Sequence, residues 1–459
     1  MRLAAASMLV AVVVLSGSPS TKTPAFDGSG NPLFDRPDPV ELTLEAPIQK
    51  LFENGKDNED YTVRGTLSLK PPGAQADVFS DVEISVRGNT SKRESECPFP
   101  KLKLKLPEKK ASSQSSVNGL ESLKIGTHCG EAKDTDLTKR FGRLANEKTA
   151  WREALVYRIL DAAAVPTLKA RPARITYIEP GIARDPLVRN GMVIEDDDDA
   201  KKRLGAKDEI AMEKFGNARD RFSEPDAAKV AFAEAMIGNF DWCLKFSPED
   251  TYRCDARKPL WNILALQHGD AVIPLIKDFD LSGIVTGRHP WFGDVFNEAF
   301  VPSKAHIDVE VISQVQRTRS LFGRDRLDRT RKDFLSRRQA IERAIADAAV
   351  DPAGRDLARK YLRAFFDAIG SDATFYRRVV TRPGTRLYRD AAKSGDACGD
   401  GETLPIGTPV NERRRSGAMT EVVALDALWQ WAPPTTCHAV RAGTVWIDSS
   451  AVSADYPNR

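Results

Sequence analysis

The chain has 459 residues, of which 41% are apolar and 29% charged, with a formal charge of only +3. That length allows two or three domains with sizeable cores, and the composition is that of a soluble globular protein. The near balance of charge excludes a dedicated nucleic-acid binder, which concentrates far more positive charge.

The N-terminus reads MRLAAASMLVAVVVLSGSPS: one Arg, an apolar run from Leu3 to Leu15, then small residues. The run is short for a membrane span, and its flanks are those of a secretory signal, expected over residues 1–20. No later segment approaches about 18 continuous apolar residues. The expectation is therefore an exported protein, periplasmic or extracellular, with no membrane span after the signal is removed. Export suits the six cysteines, none of which has C-x-x-C zinc spacing. Nearest-neighbour pairing gives Cys97–Cys129, Cys243–Cys254 and Cys398–Cys437, one of fifteen connectivities.

Residues 21–39 are rich in Pro, Gly, Asp and Thr and read as a linker. Strands are expected at Val40–Glu45, Tyr61–Lys70 and Asp81–Val86, the last running into Arg87-Gly88-Asn89-Thr90-Ser91. Lys101-Leu-Lys-Leu-Lys-Leu106 alternates strictly, which marks a strand with lysines on one face and leucines on the other. A Gly/Asn/Ser/Thr turn before such a strand could cradle phosphates with backbone N–H groups and a cation. Lys103, being central, is the preferred cation, although Lys101 and Lys105 share its face; an edge strand guarded by lysine is the bland alternative.

Residues 146–163 have the pattern of an amphipathic helix that stops before Val165-Pro166. Glu153 on this helix could pair with the strand lysine, or face solvent. Arg171–Glu179 and Gly191–Glu195 read as strands. The run Glu195–Asp199 reads as a solvated loop because its like charges repel, and Ile194-Glu195-Asp196 as a hinge that could meet a nucleotide base. Helices are expected at Lys207–Arg221 and Ser223–Gly238, with Ser223 as N-cap.

The stretch Met236–Gly283 carries the chemistry. Residues 259–266 and 271–276 read as two strands around a turn at His268-Gly269-Asp270. Asn262 and Asp278 are equidistant from Asp270, so an antiparallel hairpin would set them side by side. Asp278 and Asp280 would share a face if the strand continued that far. Asp241 enters from a separate loop. A loop acid that orients a hydroxyl and accepts its proton, with an Asn and an acid that hold a divalent ion, is the set that phosphoryl transfer uses. Magnesium needs few protein ligands, because it keeps several waters.

Arg288, His289, Trp291 and Phe292 follow and would border this site. Ala305–Val380 has helical periodicity, broken at Asp351-Pro352. From Thr381 short strands with turn residues take over, at Thr385–Tyr388, Thr403–Val410, Thr420–Val423 and Thr444–Ile447. They read as a small barrel, which sets a domain boundary between residues 40–380 and 381–459.

Together, Arg87-Gly88-Asn89-Thr90-Ser91 with the Lys/Leu strand, Gly191-Met-Val-Ile-Glu195, Gly238-Asn-Phe-Asp241 and Asp278-Phe-Asp280 resemble the spore-coat-protein-H (CotH) kinase-like family over roughly residues 40–300. The order Asn-x-Asp, Asn, Asp also resembles HipA-like and lipid-kinase-like atypical kinases. The resemblance implies an α+β, two-lobed, atypical protein-kinase-like domain that uses ATP or another nucleotide with Mg²⁺ or Mn²⁺. It implies Asp241 as the catalytic-loop acid, Asn262 and Asp278 as metal ligands with Asp280 secondary, and Lys103 as the phosphate-binding lysine, with Arg87, Asn89 and Glu195 around the nucleotide. The chain departs from the family at Trp242-Cys243, where a basic Arg-His pair often follows the Asp. The tail Gly384–Val452, ending in Gly443-Thr-Val-Trp-Ile447, resembles a bacterial SH3-like domain, which implies binding to cell-wall peptide or an envelope protein. Two functions follow as expectations: transfer of phosphoryl to a Ser/Thr hydroxyl of an exported protein, or a non-catalytic pseudokinase scaffold anchored by the tail.

Overall fold

A computed structural model describes residues 31–107, 117, 119–134, 136–211, 222–244, 259–287, 307–399, 401–426 and 443–457. The N-terminal part is built on seven strands: β1 (Val40–Glu45), β2 (Thr62–Lys70), β3 (Asp77–Val86), β4 (Leu102–Lys105), β5 (Ser122–Gly126), β6 (Ala170–Ile178) and β7 (Leu187–Glu195). They close into a barrel in the order β1-β2-β3-β4-β5-β7-β6, with β6 returning parallel to β1. Alternation places Leu42, Leu44, Leu67, Leu69, Ile84, Leu102, Leu104 and Leu123 inside, all at most 2% exposed. Closure removes the sheet edges that short strands otherwise leave open. The sequence signals located most of these strands but not their closure into a barrel.

Two helices attach to the barrel. The short α1 (Ile48–Gly55) between β1 and β2 was not expected, and α2 (Glu147–Ala162) follows β5. Asn146 caps α2 by accepting the N–H of Lys148 at 3.0 Å. The expected amphipathic helix is in fact buried on nearly all sides, Arg152 and Glu153 included. It lies between β6, β7 and the helices that follow. The Glu195–Asp199 run is not a loop either. It opens α3 (Asp197–Arg203), whose N-cap Asp196 accepts the Asp198 N–H, with acids in the first turn and Lys201, Lys202 and Arg203 in the last. That charge order suits the helix dipole, and Lys124, Lys103 and Lys277 offset the acids further.

The helix expected over 207–221 fails at its start, where β8 (Asp208–Glu209) pairs instead with a later strand; residues 212–221 lie outside the described residues. Next come α4 (Glu224–Ile237), the two-residue strands β9 (Cys243–Leu244) and β10 (Leu260–Trp261), and the hairpin β11 (Ile263–His268) and β12 (Ala271–Ile276). Ile263 pairs with Ile276 and His268 with Ala271, so the turn is Gly269-Asp270 alone. This shifts the register by one residue: Asn262 faces Lys277, whose N–H it accepts at 3.0 Å, and not Asp278. After β12 the chain turns into α5 (Gly283–Thr286), so Asp278 and Asp280 do not lie on a strand.

The helices α6 (Ile307–Thr318), α7 (Arg324–Ala346), α8 (Pro352–Ile369) and α9 (Asp372–Phe375) surround α4 and complete a second apolar core, separate from that of the barrel. Phe232, Phe334, Phe365 and Phe375 pack ring against ring in it. No helix among the described residues is long and apolar enough to cross a membrane. The remaining strands are β13 (Val379–Val380), β14 (Thr385–Arg386), β15 (Thr403–Leu404), β16 (Val410–Ser416), β17 (Met419–Ala424), β18 (Val445–Asp448) and β19 (Val452–Ser453). Among the described residues they form one three-stranded sheet and two strand pairs around a small core of their own, and not a closed barrel.

Cys97 and Cys129 are joined as expected. Cys243 and Cys398 are also disulfide-bonded; their expected partners Cys254 and Cys437 lie outside the described residues, as do Arg288, His289, Trp291 and Phe292.

Arg152 fastens the barrel side to the helical core. It grips Asp351 with two hydrogen bonds of 2.9 and 2.8 Å and donates to the Val285 carbonyl at 3.0 Å. Asp351 is also the N-cap of α8. Arg152→Ala leaves this carboxylate without its partner and should lower unfolding stability by about 3 kcal/mol in urea titration. Arg359→Ala, which removes the exposed pair with Asp356, should cost less than about 0.5 kcal/mol. Equal losses would contradict the assignment.

Candidate active site

Three loops meet where the barrel faces the helical core. The first follows α4, which ends at Gly238 in the left-handed region (φ 64°), so that the chain can turn sharply into Asn239 and Asp241. A Cβ at Gly238 would stand 2.1 Å from the ring of Tyr361. The second is Asn262, a single residue between β10 and β11, with φ 55°. The third is Lys277–Ser282, with Asp278 at φ 66°. Asn and Asp tolerate this conformation better than other non-glycine residues. The Gly283 N–H donates to the Gly238 carbonyl at 2.9 Å, which ties the first loop to the third.

Asn262 Nδ2 donates to the main-chain oxygen of Asp241 at 2.6 Å and to its Oδ2 at 3.1 Å. Pairing of β9 with β10 sets Trp261 opposite Cys243, and its indole N–H donates to Asp241 Oδ1 at 2.8 Å. Asp241, Asn262 and Asp278 line one cavity of about 300 Å³, together with Asn89, Thr90, Ser91, Arg143 and Glu209. The turn before the Lys/Leu strand thus borders the same cavity as the three acid-loop residues. Gly88 (φ 108°) permits that turn, since a Cβ there would meet Ser91 Oγ at 2.2 Å.

The lysine facing this centre is Lys101, and not Lys103. Lys101 Nζ lies 2.8 Å from Asp278 Oδ1 and 3.1 Å from Asp280 Oδ2, with 9% of its side chain exposed. Lys103, 40% exposed, pairs with Asp196 at 3.1 Å, and Lys105 is exposed. The physical reason is position: Lys101 precedes the strand proper, where its carbonyl takes the Arg87 N–H at 2.9 Å beneath the 88–91 turn. Glu153, expected to face solvent as the simpler outcome, is 2% exposed and accepts the Phe279 N–H at 3.3 Å.

Two further expectations change. Glu195 is bound by Arg203 at 2.8 and 2.7 Å and by the Lys169 N–H at 3.0 Å, and its side chain is buried. Asp196 caps a helix, and neither residue lines the cavity. Arg87 uses Nε on the Leu102 carbonyl, and only Asn89 of the expected nucleotide-binding residues lines the cavity.

Arg143 was missed. Its guanidinium donates to Asp280 Oδ2 at 3.0 Å, Glu96 at 3.3 Å and Thr90 Oγ1 at 2.9 Å, joining the 88–91 turn to the third loop. It comes from an irregular, charge-rich segment with no periodicity, which carries no sequence signal. Glu96 neighbours Cys97, so the Cys97–Cys129 bridge braces this network.

Burial alone would raise the Asp280 carboxyl, but Arg143 and Lys101 outweigh it and hold it well below the carboxylate range. For Lys101 burial works against the charge, and Asp278, Asp280 and Glu153 overcome it, so the ammonium stays protonated. Burial lifts Glu153 to about 7, against the opposing pull of Lys101.

Among the described residues no three His, Cys, Asp or Glu side chains cluster as a metal site. The donor set that fits a hard cation is mixed. Asn262 commits its Nδ2 to Asp241, which leaves its carbonyl oxygen as the remaining group; Asp278 keeps a second oxygen in a side chain 43% exposed. Asp280 Oδ1 is buried without a hydrogen bond. Oxygen ligands of this kind suit magnesium or manganese.

No family model matches the chain and no curated protein does. Among solved structures it is similar to the Helicobacter pylori proinflammatory kinase CtkA, at 9% identity and TM-score 0.31, over 58% of this chain and 90% of that one. It is also similar to HipA of Shewanella oneidensis MR-1, determined with HipB and operator DNA, at 12% identity and TM-score 0.29, over 71% and 79% of the two chains. One of these weak neighbours is thus a kinase. At such scores the likeness reaches the fold at most, and neither the CotH nor the SH3-like resemblance gains support.

Beneath the first loop, Tyr361 donates to Glu310 at 2.9 Å, and Glu310 is buried. Burial pushes its carboxyl from the ordinary 4.5 up to about 8, only partly opposed by Tyr361. The folded state therefore keeps a proton that the unfolded chain releases, and this group's contribution to stability falls as pH rises from about 4.5 to about 8. Glu310→Gln keeps an acceptor for Tyr361 but cannot ionise. Its melting temperature relative to wild type should be higher at about pH 9 than at about pH 5. A difference independent of pH would contradict a neutral Glu310.

Proposed function

We propose that the protein is an exported phosphotransferase that passes the terminal phosphoryl group of a nucleotide to a Ser or Thr hydroxyl of an exported protein. The observation that carries the reading is the meeting of Asp241, Asn262 and Asp278 in one cavity, with Lys101 buried against Asp278. Asp241 orients the acceptor hydroxyl and takes its proton as the new O–P bond forms and the donor's terminal phosphoanhydride bond breaks. Asn262 and Asp278 would hold a divalent cation, with Asp280 beside them; such an ion, when bound, neutralises charge on the phosphate oxygens. Lys101 supplies a fixed positive charge to the phosphates, Glu153 stands beside it, and Arg143 with the 88–91 turn closes the cavity on that side. Positioning and electrostatics of this type carry most of the catalysis in phosphoryl transfer.

A second reading is a non-catalytic scaffold held at the cell envelope by residues 381–459. One observation favours it: both Asp241 carboxylate oxygens accept hydrogen bonds, from Trp261 and Asn262, and Lys101 is engaged by two acids. Incubation with labelled ATP and Mn²⁺ separates the two. Asp241→Asn should lower incorporation by at least about 100-fold. Lys101→Met should lower it by at least about 10-fold, whereas Lys103→Met should stay within about threefold. No incorporation by wild type, or equal incorporation by wild type and Asp241→Asn, would leave the scaffold reading.

A further inference from the structure

A single acid, Glu234, stands in the otherwise apolar second half of α4, between Ala233 and Ala235, and is 0% exposed. Burying a carboxyl in such surroundings is costly unless it is well bonded, and Glu234 Oε1 has no hydrogen-bond partner. Its other oxygen shows what it does. Oε2 accepts Asn239 Nδ2 at 2.9 Å, and the Glu234 main-chain carbonyl accepts the Asn239 N–H, also at 2.9 Å. Glu234 therefore holds one residue by side chain and backbone at once. Asn239, itself 0% exposed, turns its Oδ1 to the Asp241 N–H at 2.9 Å. Beyond that, Asn262 Nδ2 meets Asp241 through both the main chain and the carboxylate.

We infer that Glu234 is a positioning residue: through Asn239 it fixes the backbone of Asp241, and so the aim of the Asp241 carboxylate into the cavity. The chain Glu234–Asn239–Asp241–Asn262 runs from the helical core to the cavity wall through hydrogen bonds alone. Its Asn239 to Asp241 link, an Asn side chain accepting the N–H two residues on, is a compact local turn. Without the grip on its Nδ2, the Asn239 side chain is free to leave that orientation, and the Asp241 N–H loses its acceptor, leaving the Asn262 bond to the Asp241 carbonyl as the remaining hold on that backbone. The kinetic consequence rests on Asp241 being the acid of a phosphotransferase; the structural one does not.

The test uses the full chain and two readouts, amide hydrogen exchange at Asp241 and steady-state transfer from ATP with Mn²⁺. Glu234→Ala should speed exchange of the Asp241 amide by at least about 10-fold. It should lower kcat by about 10- to 100-fold while the KM for ATP stays within about twofold, the signature of lost aim and not of lost binding. Glu234→Gln, whose amide oxygen can still accept from Asn239, should restore both to within about threefold of wild type. If the alanine variant does not fold, Glu234→Leu keeps the volume without the acceptor and is read in its place. Unchanged exchange in a folded alanine or leucine variant overturns the inference, as does a glutamine variant as impaired as alanine. If wild type transfers nothing while exchange still follows Glu234, the positioning role stands and the phosphotransferase reading falls.

Discussion

The ammonium of Lys101 sits between two carboxylates, at 2.8 Å from Asp278 and 3.1 Å from Asp280, almost out of contact with water. A buried cation is tolerated only with partners of this kind, and removing one partner of such a set costs far more than breaking a surface pair. The rest of the site is arranged around that requirement. The barrel delivers the lysine at the start of β4, the helical core delivers both acids after β12, and Arg143 supplies the second positive charge that Asp280 needs. Glu153, on the helix between the two cores, is lifted to about 7 by its burial, against the pull of Lys101. The barrel and the helical core therefore meet through a balance of ions where either alone would leave charge unpaired.

The cavity inherits its geometry from backbone turns that few residues accept. Gly238, Asn262 and Asp278 all have positive φ, and each sits where a helix or strand stops so that a side chain can turn inward. Gly238 and Gly283 both press against Tyr361, where any Cβ would collide with the ring. The two loops are thereby referenced to one aromatic side chain in the core, and this keeps Asp241 and Asp278 on the same cavity.

Much of this was readable in the residues. Strict alternation in Lys101–Leu106 marked a strand, the Gly/Asn/Ser/Thr composition marked the turn before it, and the hairpin followed from two apolar runs around His268-Gly269-Asp270. What escaped has identifiable causes. A hairpin read from symmetry alone is uncertain by one residue, and the two-residue turn moved Asn262 opposite Lys277. Period-two alternation says that three lysines share a face but not which of them is covered; the 88–91 turn and the acids decide that, and they are distant in sequence. Like-charged Glu195–Asp199 reads as a loop unless the helix dipole and the lysines facing it are considered. Arg143 had no pattern to reveal it. Glu234 carries a signal of its own, a lone acid in an apolar helix, which the more conspicuous Asp241 overshadows.

In the proposed chemistry Asn262 and Asp278 hold one cation in the cavity that Asp241 lines. Crystals soaked with Mn²⁺ and a non-hydrolysable nucleotide, measured at the manganese absorption edge, address this directly. An anomalous peak is expected about 2.0–2.4 Å from Asn262 Oδ1 and from a carboxylate oxygen of Asp278. No peak in the cavity, or manganese bound by ligands that exclude both residues, would contradict it.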